Sequence, residues 1–231
     1  MNRSPFLEVS EEVFAAALRL GNHPAVRELG CSVLESIHPY TTWKGSPSWW
    51  VVRWRNPITR DKIPLPLRME GRRFICKRPD FGREGAPLYR LHKLRQYPSD
   101  LVYLVEGEAC ADCLERLGFI ATTWPGGAQA VGKADFRPLA GRLVVLWPDL
   151  DRNGFEAMEK ARAILEALGA RVVCLDVVSL GLPPKGDVVD WLEAFIQSHG
   201  ARELCAIPEG HALAWQAVRD LPILEEAKVA A

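Results

Sequence analysis

Strand and helix segments that alternate over the second half of the chain predict an α/β fold with a mostly parallel sheet. Three observations carry this expectation. RLVVLWPD holds an unbroken apolar run, Leu143 to Trp147, which suits a strand buried on both faces. RNGFEAMEKARAILEALG sets Phe155, Met158, Ala161, Leu165 and Leu168 on one helical face and stops at Gly169. Before residue 98 the pattern is different, with short strands and turns after a helix, as in a small basic α+β subdomain.

Taken in order, Ser10 caps a short helix, SEEVFAAALRL, with acidic residues in its first turn and Gly21 after its end. A second helical segment follows through Leu34. SWWVVRWRN, IPLPLRM and RFICKRP, separated by turns at NPITRD and EGR, read as strands of an antiparallel sheet. The prolines of IPLPLR argue for an edge strand. FGREGAPLYRLHKLRQYP reads as a linker around one helical turn. LVYLVE, FIATT, RLVVLWPD and RVVCLDVV are the strands of the α/β layer. GEACADCLERLG, RNGFEAMEKARAILEALG and DVVDWLEAFIQSHG are its helices. The expected organisation is an N-terminal helical segment (1–42), a Trp-rich basic β subdomain with linker (43–97), the α/β domain (98–200) and a C-terminal helical tail (201–231).

The composition is that of an ordinary globular chain, 48% apolar and 25% charged. No apolar run approaches the ~20 residues of a membrane span, and MNRSPFLEVSEEVF lacks a signal-peptide core. The expectation is a cytoplasmic protein with six reduced cysteines and no membrane partner. The zero net charge hides an asymmetry. Trp43 to Arg95 carries 14 Lys/Arg against 4 Asp/Glu, and Gln96 to Ala231 carries 12 against 20. A basic half beside an acidic half suits polyanion binding next to a cation site, or two solvated surfaces.

Ligands of open α/β sheets bind outside the carboxyl ends of the strands, and the acidic residues fall there. Glu106 closes LVYLVE, Asp149 and Asp151 close RLVVLWPD, and Asp187 and Asp190 follow RVVCLDVV after a loop. Asp149 and Asp151 are two apart in extended chain and leave on one side. Such a carboxylate cluster needs a cation, and oxygen ligands suit Mg²⁺ or Mn²⁺. The plainer alternative is that Asp149 and Asp151 only begin the next helix.

VEGE, then WPDLDRNG, then KGDVVDWL, with PLYRLHKL before them and TTWPGG between, resembles the Toprim domain of bacterial, phage and plasmid DNA primases. The resemblance covers Pro87 to Glu193. It implies a Toprim-like α/β domain, a primase-like nucleotidyltransferase, and a metal site of Glu106, Asp149, Asp151, Asp187 and Asp190. Glu106, Asp149 and Asp151 would be the catalytic set. It implies Mg²⁺ or Mn²⁺ as cofactor, single-stranded DNA and nucleoside triphosphates as substrates, and primer synthesis in DNA replication. A separate replicative helicase is the implied partner, unless the chain is one part of a larger primase-helicase. No zinc is expected, because the zinc-binding motif that precedes such domains is absent from the sequence.

One departure stands out. Many primases carry Asp four residues after the first glutamate, and here that residue is Cys110. Asp112 leaves a helix about 200° away from position 110 and is a poor substitute. Cys110 and Cys113 form a CxxC inside a helix with no second pair to complete a tetrahedral site, so packing on the sheet is the favoured reading.

Trp43, Trp49, Trp50 and Trp54 are interleaved with Lys44, Arg53 and Arg55, the pattern of a surface that stacks bases and tracks phosphates. Trp50 and Trp54, an even number apart, could instead share a core face. Lys44, Trp49, Arg53, Arg55, Arg72, Arg73, Lys77, Arg78 and Arg90 are the candidate DNA contacts. Gly126, Gly127, Lys133 and Lys185 are the candidate nucleotide or phosphate contacts. GAQAVGKA is close to a P-loop, but Ala134 stands where a hydroxyl is needed and Pro138 limits the following helix. The alternatives to a primase are a metal-dependent Toprim nuclease, a non-catalytic single-stranded-DNA-binding subunit, and a P-loop NTPase.

Overall fold

The alternation in SWWVVRWR dictates the first half of the molecule, as the computed structural model shows for residues 9–198 and 208–224. The chain divides into two compact units, Met1–Gly82 and Arg83–Ala231.

In the first unit, α1 (Glu11–Arg19) is capped by Ser10, whose Oγ accepts from the Val13 amide at 3.4 Å. A short helix, α2 (Pro24–Glu28), follows. Strands β1 (Val33–Thr41), β2 (Pro47–Arg55), β3 (Lys62–Glu70) and β4 (Arg73–Ile75) form one antiparallel sheet in sequence order. Val52, Trp50, Trp54, Leu65 and Leu67 point to one face and pack on Val13, Ala16, Ala17 and Leu20 of the helical segment. Trp50 and Trp54 are therefore core residues, the second of the two readings above. β1 is an addition: the helical segment expected through Leu34 ends at Glu28, and the next nine-residue strand pairs with β2. The buried faces of these helices pack on the sheet, so the described residues 9–42 and the strands form one compact unit.

The prolines of β3 are placed as their missing amides require. Pro64 and Pro66 pair with Arg53 and Val51 of β2. β4 covers only Arg68 to Glu70, so the proline half of β3 is a free edge. Gly21 does not end α1 by a left-handed turn. A Cβ there would lie 2.8 Å from Cη2 of Trp54, so the missing side chain makes room for the indole.

In the second unit, α3 (Leu91–Gln96) precedes a parallel sheet of β5 (Val102–Val105), β6 (Ala121–Thr122), β7 (Leu143–Trp147) and β8 (Arg171–Cys174). The strand order is β6-β5-β7-β8, and all pairings are parallel. Helices α4 (Glu108–Arg116), α5 (Arg152–Ala167) and α6 (Val188–Ser198) connect or follow the strands. Val102, Leu104, Val144 and Leu146 face Ala157, Met158, Ala161 and Leu165 of α5. On the other face Trp147 meets Trp191 of α6 at 5.7 Å between ring centroids. A sheet covered on both faces accounts for the unbroken LVVLW run. Residue 200, expected as a helix terminator, lies outside the described residues. The segment after α7 (Pro208–Arg219) returns to β8, where the Leu224 amide donates to the Cys174 carbonyl at 2.8 Å.

The stretch expected as a linker belongs to this unit. Leu88 and Leu94 are buried in its core, and Tyr89 N donates to Thr123 O at 2.8 Å. Arg142 fixes the end of α3: its guanidinium donates to the carbonyls of Leu94, Tyr97 and Asp100 at 2.9, 2.6 and 2.8 Å. The three carbonyls take up the terminal nitrogens of a nearly buried cation, and in return the cation caps carbonyls at the helix end. Among the described residues, no helix is long and apolar enough to cross a membrane.

Candidate active site

The strand order creates a crevice. The chain leaves β5 toward β6 on one side and continues at β7 on the other, so the carboxyl ends of β5 and β7 form the switch point of the sheet. Val105 and Trp147 are paired neighbours at these ends. Glu106 follows the first and Asp149 the second, and Glu106 Oε1 accepts from the Asp149 amide at 3.4 Å.

Gly154, in the first turn of α5, explains how closely these pieces approach. A Cβ at this position would lie 2.5 Å from the Asp149 carbonyl oxygen and 2.7 Å from Glu106 Oε1. Asp151 caps α5, and its Oδ1 accepts from the Gly154 amide at 2.8 Å. The reading of Asp151 as an N-cap therefore holds, and Asp149 stands free of that task.

Asp187 arrives from a distant part of the chain. The Leu150 amide donates to the Gly186 carbonyl and the Lys185 amide donates to the Leu150 carbonyl, both at 2.9 Å. This stitches the loop before α6 to the residue between Asp149 and Asp151. Asp187 and Asp190 then form a reciprocal cap. Oδ1 of Asp187 accepts from Val189 N and Asp190 N at 2.7 and 3.1 Å, and Oδ2 of Asp190 accepts from Asp187 N at 3.0 Å.

Cys110 completes the group. It lies in α4, is 3% exposed, and its Sγ and carboxylate oxygens of Asp149 and Asp187 all lie within 4.8 Å of one another. The expectation for Cys110, packing on the sheet in place of a carboxylate ligand, is half of its role: it is buried, and its sulfur also faces the two aspartates. The available signal was its position four residues after Glu106, one helical turn on and facing the same crevice. Asp112 does point elsewhere. It accepts from Tyr89 Oη at 2.9 Å and from Arg90 at 2.7 Å, while Arg90 and Lys93 pair with Glu115 at 3.4 and 3.2 Å.

The electrostatics are those of crowded anions. Asp149 is pushed up to about 8 by burial and by the charges of Glu106, Asp187, Asp151 and Asp190. Burial and Asp151 also raise Glu106. The Cys110 thiol is raised by burial and by the two aspartates. Among the described residues, no lysine or arginine forms an ion pair with Glu106, Asp149 or Asp187. The group fits a divalent cation: the donors are oxygen and sulfur, they converge, and their charge is uncompensated.

The other candidates are scattered. Gly126 and Gly127, with φ of 101° and 72°, turn the chain after β6 into a short 3₁₀ segment, Ala128–Lys133, whose Ala130 and Val131 are buried. Neither a P-loop nor a long helix forms there. Lys133 is exposed, and its carbonyl is held by the Ala86 amide at 2.7 Å. Lys185 is exposed in left-handed backbone (φ 65°), beside Leu150. Lys44, Arg72, Arg73, Lys77 and Arg78 are exposed in the first unit. Arg53 is half-buried, and Arg55 is half-buried and ion-paired with Glu35. Trp49 is 1% exposed and stacks on Tyr40 at 4.2 Å, which leaves no ring face for a base. Arg90 is committed to Asp112 and Glu115, at the wall of the α/β unit.

No known family matches the chain, and no curated protein matches it. Among solved structures it is similar to the Aquifex aeolicus primase, a structure of the zinc-binding and RNA polymerase domains. That match has 17% identity and a TM-score of 0.51, over 93% of this chain and 50% of that one. A DNA primase domain from Pseudomonas aeruginosa is similar at 19% identity and TM-score 0.46, over 75% and 54%. The primase fragment of the bacteriophage T7 primase-helicase is similar at 17% and 0.41, over 61% and 52%. The chain thus spans about half the length of the structures it matches. The fold is a mixed α/β one, a parallel sheet flanked by helices with an antiparallel unit before it in the chain, and it is similar to that of the Aquifex aeolicus primase structure.

Proposed function

We propose that this chain is a primase-like nucleotidyltransferase that makes short primers on single-stranded DNA. The observation that carries this reading is the convergence of Glu106, Asp149, Asp187 and Cys110 at the switch point of a primase-type sheet. Asp149 and Asp187 would hold Mg²⁺ or Mn²⁺, with Glu106 and Asp190 beside them and Asp151 bracing α5. The ion, when bound, neutralises triphosphate charge and lowers the barrier to attack by a 3′-hydroxyl.

The residues of the chain then have distinct tasks. Glu106 fixes the Asp149 backbone through its amide and, with its raised pKa, can hold a proton in the crevice. Lys185, tied through its backbone to Leu150, stands next to the acidic loop and suits a phosphate contact. Lys133 and the Gly126-Gly127 turn suit a second phosphate contact beyond β6. Lys44, Arg72, Arg73, Lys77 and Arg78 supply exposed positive charge for the template backbone. A replicative helicase remains the partner such a primase would serve.

The test is a primer-synthesis assay on single-stranded DNA with labelled nucleotides and Mg²⁺ or Mn²⁺, with Asp149→Asn and Glu106→Gln as controls. Product that depends on both residues supports the reading. Template degradation that depends on both, without product, makes the chain a nuclease instead. DNA binding with neither reaction makes it a non-catalytic subunit.

A further inference from the structure

The thiol at position 110 gives this crevice a different donor set from an all-carboxylate one. We propose that Cys110 is itself a metal ligand, so that Cys110, Asp149 and Asp187 form a mixed thiolate–carboxylate centre favouring thiophilic divalent ions over Mg²⁺. The inference rests on reading the acidic crevice as a metal site, and adds which ion it selects.

Geometry comes first. The three ligand atoms lie within 4.8 Å of one another. Around a tetrahedral ion with a metal–sulfur bond of about 2.3 Å and metal–oxygen bonds of about 2.1 Å, such atoms lie roughly 3.4–3.6 Å apart. Side-chain adjustment of about an ångström closes that gap.

The ligands are also held in place. Cys110 is buried in α4, and α4 is clamped from its outer face by Arg90 on Asp112 and Glu115 and by Tyr89 on Asp112. Asp187 has Oδ1 committed to two amides at the start of α6, which orients the carboxylate. The sulfur therefore cannot swing out, and the ion must accept it or do without its third ligand.

Chemistry then decides the ion. Mg²⁺ demands near-octahedral oxygen and gives up water reluctantly. A thiolate suits Zn²⁺, Cd²⁺ and Co²⁺, and tolerates Mn²⁺ better than Mg²⁺. Formation of the metal–sulfur bond releases the thiol proton to solvent, one per ion bound.

The experiment uses the full chain, stripped with chelator, in a background where Cys205 and the exposed Cys76 are replaced by serine. Cd²⁺ is titrated and the thiolate-to-metal charge-transfer absorption followed, and calorimetry gives the affinities for Cd²⁺, Mn²⁺ and Mg²⁺. The background protein is expected to show the absorption. Cys110→Ser is expected to lose it and to weaken Cd²⁺ binding by about tenfold or more, with Mg²⁺ affinity changed less than about twofold. Cys110→Asp is expected to move the preference toward Mg²⁺. Circular dichroism confirms that each variant is folded, and Cys110→Asp serves if Cys110→Ser is not. An absorption that persists in Cys110→Ser, or an unchanged order of affinities, overturns the proposal; if Asp149→Asn still abolishes binding, the metal site itself stands. Absence of binding by all three ions in the background protein overturns both.

Discussion

In the second half of β2 the half-buried Arg53 and Arg55 alternate with the buried Val52 and Trp54, so charge and core residues share one stretch of strand. In β7, Val144 to Trp147 are all buried and no charge occurs until the strand has ended at Asp149. The antiparallel sheet has one face packed by helices, while the parallel sheet is covered on both. The difference teaches where each unit can place chemistry. An alternating strand can carry charge on one face while the other enters the core. A doubly covered strand can offer charge only at its ends, which concentrates it, and like charges brought together in this way call for a metal.

The sharpest way to break this comparison is to remove one residue of each kind. Asp149→Asn is expected to reduce primer synthesis about 100-fold or more while the protein stays folded, since its carboxylate is isosterically replaced. Trp54→Ala is expected to cost about 3–5 kcal/mol of stability in chemical denaturation, since it empties the middle of the first unit's core. If Asp149→Asn proves as destabilising as Trp54→Ala, the acidic crevice is a structural feature rather than a functional one.

The two tight glycines sharpen the contrast. Gly21→Ala presses on Trp54 and is expected to lower the melting temperature, by about 1–3 kcal/mol in free energy, with metal affinity unchanged. Gly154→Ala adds helix propensity of about 1 kcal/mol, yet drives a methyl into Glu106 and the Asp149 backbone. Metal affinity measured by calorimetry is expected to fall about tenfold.

The acidic crevice also has a pH signature. Asp149 ordinarily titrates near 3.8 and in the fold near 8, so between those values the folded state holds a proton that the unfolded chain has lost. Stability of the metal-free protein is therefore greatest at the acid end of that window and falls as pH rises from about 4 through about 8. Glu106, also raised, acts in the same direction. Melting temperatures across this range should show the decline, Asp149→Asn should flatten it, and a bound divalent cation should oppose it by compensating the charge.

The smallest expected effect lies in the basic unit. Arg72→Ala and Arg73→Ala leave stability within about 0.5 kcal/mol, because both are exposed. Each should reduce the salt slope of single-stranded DNA binding by about 0.7, read by fluorescence anisotropy at several salt concentrations. An unchanged slope removes these two arginines from the template surface.

Legibility followed periodicity. The strands and helices of the α/β layer were legible because a buried parallel strand is an apolar run and α5 is strongly amphipathic. β1 was not, because LESIHPYT carries a proline and polar residues and only pairing with β2 makes it a strand. Trp49 was drawn to the DNA surface by its basic neighbours, yet its ring packs on Tyr40, and no sequence spacing reveals that partner. Arg90 was one more cation in a basic stretch until Asp112 and Glu115 were brought against it.

The sequence by itself determined the local elements and the ends of the strands, because burial on one or both faces leaves a period that short-range reading detects. It placed Glu106 and Asp149 at those ends for the same reason, with Asp187 a loop beyond the last strand. Only the tertiary structure decided which of them meet. The Leu150–Gly186 and Lys185–Leu150 hydrogen bonds join segments some 35 residues apart, Gly154 lets α5 close on Glu106, and α4 turns Cys110 inward. Convergence of this kind depends on long-range contacts, which no period in the chain encodes.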